Sequence, residues 1–348
     1  MSFSAAAASA LVKRFWYGSG RPLRFLAPLA WLYRTVAEHR RRAAWQAREA
    51  SLPVPVVVVG NITAGGTGKS PLTAWLVSEL ASAGWQPVIL SRGYGGKAAQ
   101  YPLEVDGASA PSEAGDEPVM LAASTGCPVV VDPDRRRAAD HALARKLGNV
   151  LVCDDGLQHY RLPRDLEIAV FDQRRGIGNG ALIPVGPLRE PVTRLDSVDF
   201  VIVNGAQPLA QPMGEFAGFE HEAIHGMALA PTALVNLRSN ESRPVEDLRG
   251  RTVRAVAGIG NPERFFETLR GLGAEVRESA FPDHHRFREA DLAAGGAELI
   301  VMTAKDAVKC RAFAPDNAWS LVVEARLSDE FRETFLDRVR HCSEQINS

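Results

Sequence analysis

Val54-Pro-Val-Val-Val-Val-Gly-Asn-Ile-Thr-Ala-Gly-Gly-Thr-Gly-Lys-Ser70 decides how the rest of the chain is read. Val56 to Val59 is a short β-branched run, the pattern of a strand buried on both faces. A glycine-rich turn follows, then a helical pattern from Lys69 to about Ala83. Strand, turn and helix in that order make a P-loop. Its small residues let successive backbone N–H groups curl round phosphate oxygens at the positive end of the helix. The loop assigns nucleotide binding to Thr63, Ala64, Gly65, Gly66, Thr67, Gly68, Lys69 and Ser70. Lys69 reaches the β- and γ-phosphates in such a loop, and the Ser70 hydroxyl ligates Mg²⁺. Thr63 stands where the general pattern has its first glycine.

The bulk numbers bound the rest. At 348 residues the chain has room for two domains, each with its own core. It is 46% hydrophobic and 23% charged, ordinary for a globular protein. A net charge of −1 gives no electrostatic case for nucleic acid. Cys127, Cys153, Cys310 and Cys342 are scattered, which argues against a zinc site or a disulfide framework.

Before the P-loop, residues 1–50 read as a separate segment with a helix from Pro22 to about Ala50. Phe25, Leu29, Leu32 and Val36 share one helical face, with Arg34, Glu38 and Arg41 opposite. The uncharged run between Arg24 and Arg34 is far shorter than the roughly 20 residues a spanning helix needs. No signal-peptide cleavage pattern is read here. Trp16, Trp31 and Tyr33, with the basic run Arg40-Arg41-Arg42, suit an anionic membrane surface; a helix packed on its own domain is the alternative.

After the P-loop helix, a strand from Pro87 ends in Ser91-Arg92-Gly93-Tyr94-Gly95-Gly96, where Arg92 and Lys97 meet either phosphate or solvent. Asp116-Glu117-Pro118 opens a helix. Asp116 reads as its N-cap, or the two carboxylates as metal ligands or a base. A strand at Cys127–Val131 is followed by Asp134-Arg135-Arg136-Arg137, a phosphate clamp or a solvated face. Val150 to Cys153 is apolar and ends in Asp154-Asp155, acids positioned to hold Mg²⁺ beside the P-loop serine. The long Gly-, Pro- and Arg-rich loop between Asp172 and Pro191 carries Arg174, Arg175 and Arg189, residues for an anionic substrate or for solvent. The Pro/Gln-rich stretch at 207–211 suggests a domain boundary. A second βα pattern follows, with Asp283-His284-His285 and Met302-Thr-Ala-Lys305-Asp306 at strand ends.

Together GNITAGGTGKSP, SRGYGG, EAGDEP, DDGLQH, GIGNPERFF, FPDHH and MTAKDAVK resemble the tetraacyldisaccharide 4′-kinases, the lipid A 4′-kinases of Gram-negative bacteria, over about residues 20–325. Thr63 is normal in that family; Ala304 stands where its TEKD motif has Glu. The resemblance implies transfer of the γ-phosphate of ATP to the 4′-hydroxyl of an acylated glucosamine disaccharide 1-phosphate, with Mg²⁺ required. It also implies a peripheral enzyme on the cytoplasmic face of the inner membrane, attached through its N-terminal helix. Asp116 is then the base and His284 its orienting partner, completed when a second domain closes. Glu117 and Ser70 are metal ligands, alongside Asp154 and Asp155. Arg92, Tyr94, Gln158 and His159 belong to the substrate site. The implied fold is an α/β, P-loop NTPase-like α/β/α sandwich over 51–210, with a smaller α/β domain over 211–348. A membrane-associated P-loop positioning or partitioning ATPase is the alternative. Its motif, however, carries a lysine where this chain has Ala64.

Overall fold

The computed structural model describes residues 14–18, 23–47, 51–209, 211–293 and 299–348. It is a mixed α/β protein that divides into two compact units. The first comprises residues 1–92, 132–228 and 326–348, and the second 93–131 and 229–325.

In the first unit the expected strand is Val56–Gly60, buried at every position. It lies parallel between Val150–Cys153 and Leu166–Asp172. Pro87–Ser91 pairs with Val150–Cys153 on one side. Phe200–Asn204 pairs with Leu166–Asp172 on the other, followed by Ile224–Met227 of the long strand Ile224–Asn236. All these pairings are parallel, so connections must cross over the sheet and helices cover its faces. The Lys69–Ser82 helix buries Leu72, Leu76, Val77 and Leu80. The C-terminal helix Asp329–Asn347 buries Phe331, Phe335, Leu336 and Val339, and Phe331 stacks on Trp75 at 5.7 Å between ring centres.

In the second unit Thr252–Ala257 runs parallel between Glu275–Ala280 and Leu299–Thr303, with Ala318–Arg326 next in order. The two-residue period of the strands sorts their side chains into two cores. Val253, Ala255, Ala257 and Val301 pack with Phe265, Phe266 and Leu269 of the Pro262–Gly271 helix. Val256, Ile300 and Met302 face the other way, onto Phe287, Leu292 and Cys310. An antiparallel pair of Leu103–Val105 with Val129–Val131 belongs to this unit. So does the Asp116–Thr125 helix, which packs against the Ala304–Cys310 helix.

These units are not the linear pair suggested by a boundary near residue 210. The division falls inside the Ile224–Asn236 strand, between Ala228 and Leu229. Residues 93–131 go with the later part of the chain because the Asp116–Thr125 helix packs there. Residues 326–348 return to the first unit because Phe331 and Phe335 complete its core.

At the N-terminal end, a short 3-10 turn at Arg24–Leu26 leads into a helix at Ala27–Gln46 with no buried residue. The expected start at Pro22 and end at 48–50 lie outside the described residues. Phe25, Leu29, Leu32 and Val36 are all exposed, as are Trp31 and Trp45. Among the described residues no helix is long and apolar enough to cross a membrane.

Candidate active site

The nucleotide loop is built from a strand end and a helix start, the two places where backbone groups are left without partners. Gly68 sits just before the Lys69–Ser82 helix at φ +98°, a conformation that side chains rarely adopt. A Cβ there would collide with the side chain of Asn204. That asparagine ends the Phe200–Asn204 strand, is buried, and donates from Nδ2 to the Thr67 carbonyl at 2.9 Å. From the other side, buried Asn61 donates to the Gly65 carbonyl and to Thr67 Oγ1, both at 3.3 Å. Ala64 N–H donates to the Pro187 carbonyl at 2.8 Å, and Thr63 forms a β-bridge with Leu188. Thr63 is buried in that bridge, which is how the loop accommodates a threonine in place of its first glycine. Tyr17 donates to the Ala64 carbonyl at 3.2 Å, and Tyr33 to the Arg189 carbonyl at 3.1 Å. The N-terminal segment is thereby tied to the loop.

Asn204 was not singled out from the sequence, although a polar residue closing the apolar run Phe-Val-Ile-Val is a readable signal. Leucine in its place keeps the volume but strands the Thr67 carbonyl, at a cost of about 1–3 kcal/mol. Asn204→Leu should therefore weaken ATP binding about tenfold, measured by nucleotide titration; unchanged affinity would remove Asn204 as a brace of the loop.

Lys69 points back to the end of the Val150–Cys153 strand, with Nζ 3.4 Å from Asp155 Oδ1. Arg189 approaches the same oxygen at 3.9 Å. Burial raises the cost of charging Asp155, but Lys69 and then Arg189 outweigh it and hold its carboxyl below the usual range. Asp155 has φ +50°, and such backbone strain gathers at functional sites. Asp154 turns the other way. It is buried and accepts from Thr73 Oγ1 at 3.0 Å. The two adjacent acids are thus distinct: one faces a cation, one braces the P-loop helix. Among the described residues no three His, Cys, Asp or Glu side chains form a metal cage. Mg²⁺ takes one or two protein ligands and fills its shell with phosphate oxygens and water. Asp155, facing the Lys69 ammonium, and the Ser70 hydroxyl at the helix start have the chemistry for it.

The other candidates in this unit have different surroundings. Gln158 donates from Nε2 to the Asn61 carbonyl at 3.0 Å and to Glu190 at 2.8 Å, so its amide holds the loop. Glu190 also accepts from Tyr160. Burial, and then the charges of Arg135 and Arg92, push His159 down to about 4, so it is neutral near pH 7. Arg92 is exposed. In the Arg135-Arg136-Arg137 run only Arg137 is exposed, and all three arginines have protein partners. Asp134 caps its helix, Arg135 is buried on the Asp132 carbonyl, Arg136 pairs with Asp140, and Arg137 with Asp132. Arg175 lies over the Tyr17 ring at 5.6 Å.

In the second unit Asp116 and His284 are brought together across 168 positions of sequence, with His284 Nδ1 3.4 Å from Asp116 Oδ2. Both belong to the same compact unit, so the expectation that domain closure joins them is corrected. Asp116 is the first residue of its helix. Gly115, at φ +92°, occupies the cap position and no side chain caps the helix, so the cap reading of Asp116 falls away. Glu117 pairs with Lys305 at 3.3 Å. His284 has φ +59° and its ring lies against Tyr94, 4.9 Å between centres. Its neighbour differs entirely. His285 stacks on Phe281 at 4.6 Å, meets Phe287 at 4.8 Å, and bonds Asp291 at 3.1 Å. His285 is therefore held between two phenylalanine rings and Asp291, and His284 is the one whose ring meets Asp116.

The comparisons bear on this arrangement. The family model described as tetraacyldisaccharide-1-P 4′-kinase matches residues 22–340. The chain is 50% identical over 311 residues to a tetraacyldisaccharide 4′-kinase of Alkalilimnicola ehrlichii, covering 88% of this chain and 90% of that one. It is 45% identical over 329 residues to one of Pseudomonas aeruginosa, covering 94% and 96%. It is also similar to the crystal structure of the "apo" form of LpxK from Aquifex aeolicus in complex with ATP. That match has a TM-score of 0.74 and 29% identity, covering 91% of this chain and 98% of that one. A match along nearly its whole length, with a phosphate loop in one unit and a carboxylate–histidine pair in the other, places this chain in the tetraacyldisaccharide 4′-kinase family.

Proposed function

We infer that this protein is an ATP-dependent kinase that transfers the γ-phosphate to the 4′-hydroxyl of a tetraacyldisaccharide 1-phosphate in lipid A biosynthesis. The observation that carries the reading is the Asp116–His284 pair. A P-loop alone serves any nucleotide hydrolase, whereas a carboxylate held by a histidine serves an acceptor that must lose a proton. The positioning-ATPase alternative has no support among the relatives, which are named as kinases.

Phosphoryl transfer asks the protein mainly for positioning and charge neutralisation. The loop's backbone N–H groups and Lys69 hold the β- and γ-phosphates. As the acceptor oxygen bonds to the γ-phosphorus, the bond to the bridging oxygen breaks and ADP leaves. Asp116 takes the acceptor's proton, and His284 keeps its carboxylate aimed. Mg²⁺ would be held by Asp155 and Ser70, with Asp154 orienting the helix behind them; Glu117, in the other unit, is a separate candidate ligand. When bound, it would neutralise charge on the phosphate oxygens. Arg92, Tyr94, Gln158 and His159 would contact the acceptor side, with Gln158 acting through the loop it holds.

The enzyme would work as a peripheral protein on the cytoplasmic face of the bacterial inner membrane, because a four-chain lipid does not leave the bilayer. The exposed Phe25, Leu29, Leu32 and Val36 favour that reading, as do Arg40, Arg41 and Arg42 on the same helix. No bulk charge favours nucleic acid as a partner. Serine at those four apolar positions should move the protein from membrane to soluble fractions, read by sedimentation with anionic vesicles. Continued co-sedimentation would mean another surface carries the attachment. Serine replacement is preferable to deleting the helix, because Tyr17 and Tyr33 also hold the loop and Arg189. The activity itself is tested by incubating γ-labelled ATP with tetraacyldisaccharide 1-phosphate in detergent micelles. Labelled lipid is expected; ATP hydrolysis without labelled lipid would overturn the reading.

A further inference from the structure

Lys309 closes the MTAKDAVK stretch and has been given no role so far, yet its charge is largely buried beside the proposed base. Its side chain is 9% exposed and its ammonium lies 5.1 Å from the centre of the Phe287 ring. On one side Nζ is 2.7 Å from Asp306 Oδ1; on the other it is 3.7 Å from Asp116 Oδ2. Asp306 is the anchor. It is wholly buried, and its second oxygen accepts from the Gly258 N–H at 2.9 Å and the Thr303 hydroxyl at 2.7 Å. A lysine paired at that end, with its ammonium beside an aromatic ring, has little freedom to leave the other carboxylate.

His284 and Lys309 approach the same oxygen of Asp116, Oδ2. Among the described residues no side chain bonds Oδ1. The geometry points to Lys309 as a positioning residue for phosphoryl transfer: anchored by Asp306, it grips Oδ2 of Asp116 together with His284 and leaves Oδ1 aimed to accept the proton. The inference rests on Asp116 being the base. It adds a second brace to the dyad, from the helix Ala304–Cys310 rather than from the His284 turn. Lys305, one helical turn earlier, makes the parallel contact to Glu117 at 3.3 Å and to Asp283 at 3.5 Å.

The plainer role for Lys309 is to neutralise buried Asp306, and the test separates the two. Lys309→Met alone leaves a buried unpaired carboxylate and is expected to melt early. The double variant Asp306→Asn/Lys309→Met removes both charges while the asparagine oxygen still accepts from Gly258. If Lys309 only neutralises Asp306, that double variant turns over at the wild-type rate, and the proposal is overturned. If Lys309 positions Asp116, kcat falls about 10²-fold, the scale of an ångström-sized misplacement, while KM for ATP stays within about twofold. Lys309→Arg should recover part of that loss, because it keeps the charge. In an Asp116→Asn background the double change should cost nothing more, since the group it positions no longer takes a proton. Full turnover by Asp116→Asn alone would instead remove the base assignment, a result distinct from normal turnover by the double variant.

Discussion

Lys69→Ala should give a folded protein that transfers no measurable phosphate to the lipid. Lys69 is the P-loop cation, and removing one preorganised group from developing charge costs about 10²–10³-fold in rate. Here the loss should exceed that range. The Lys69 ammonium sits 3.4 Å from Asp155, so alanine also leaves that carboxylate facing the phosphates. Arg189, at 3.9 Å, is the remaining cation on the same oxygen. The core is untouched, because Leu72, Leu76 and Leu80 carry the packing of that helix. Transfer of labelled γ-phosphate, with a thermal melt beside it, checks both halves; retained transfer would sink the P-loop assignment.

Asp116→Ala should lose about 10²–10⁴-fold in kcat, the span of a positioned general base, and should still bind ATP with near-normal affinity. The second expectation follows from the architecture. Asp116 belongs to the unit of residues 93–131 and 229–325, whereas the loop, Lys69 and Asn204 belong to the other. Kinetics in micelles with a parallel nucleotide titration separate the two quantities. Near-normal turnover removes Asp116 as the base. A loss of ATP binding equal to the loss of turnover would mean that Asp116 acts on the nucleotide rather than on the acceptor. The Asn204→Leu variant is the mirror image, with its main effect in ATP affinity.

The P-loop, the strand before it and the acids at the end of the Val150–Cys153 strand were legible in the sequence because each is a short-range pattern. A β-branched run buries on two faces, glycines supply the turn, and a strand end presents its next side chains to a ligand, whatever the rest of the chain does. The amphipathic N-terminal helix was legible for the same reason. What lies across the chain was not. Asp154 and Asp155 read alike until Thr73 bonds one and Lys69 pairs with the other. His284 and His285 read alike until Phe281 and Phe287 claim the second ring and Asp116 meets the first. Asn204 showed only a polar residue closing an apolar run, and Lys309 only its place in MTAKDAVK, because each acts through a partner more than a hundred residues away. A boundary near residue 210 looked natural in composition, yet long-range packing sends residues 93–131 and 326–348 to the opposite units. Local backbone chemistry sets the elements and the phosphate loop. Which side chain of each adjacent pair serves the site is decided by partners that only the folded chain brings within bonding distance.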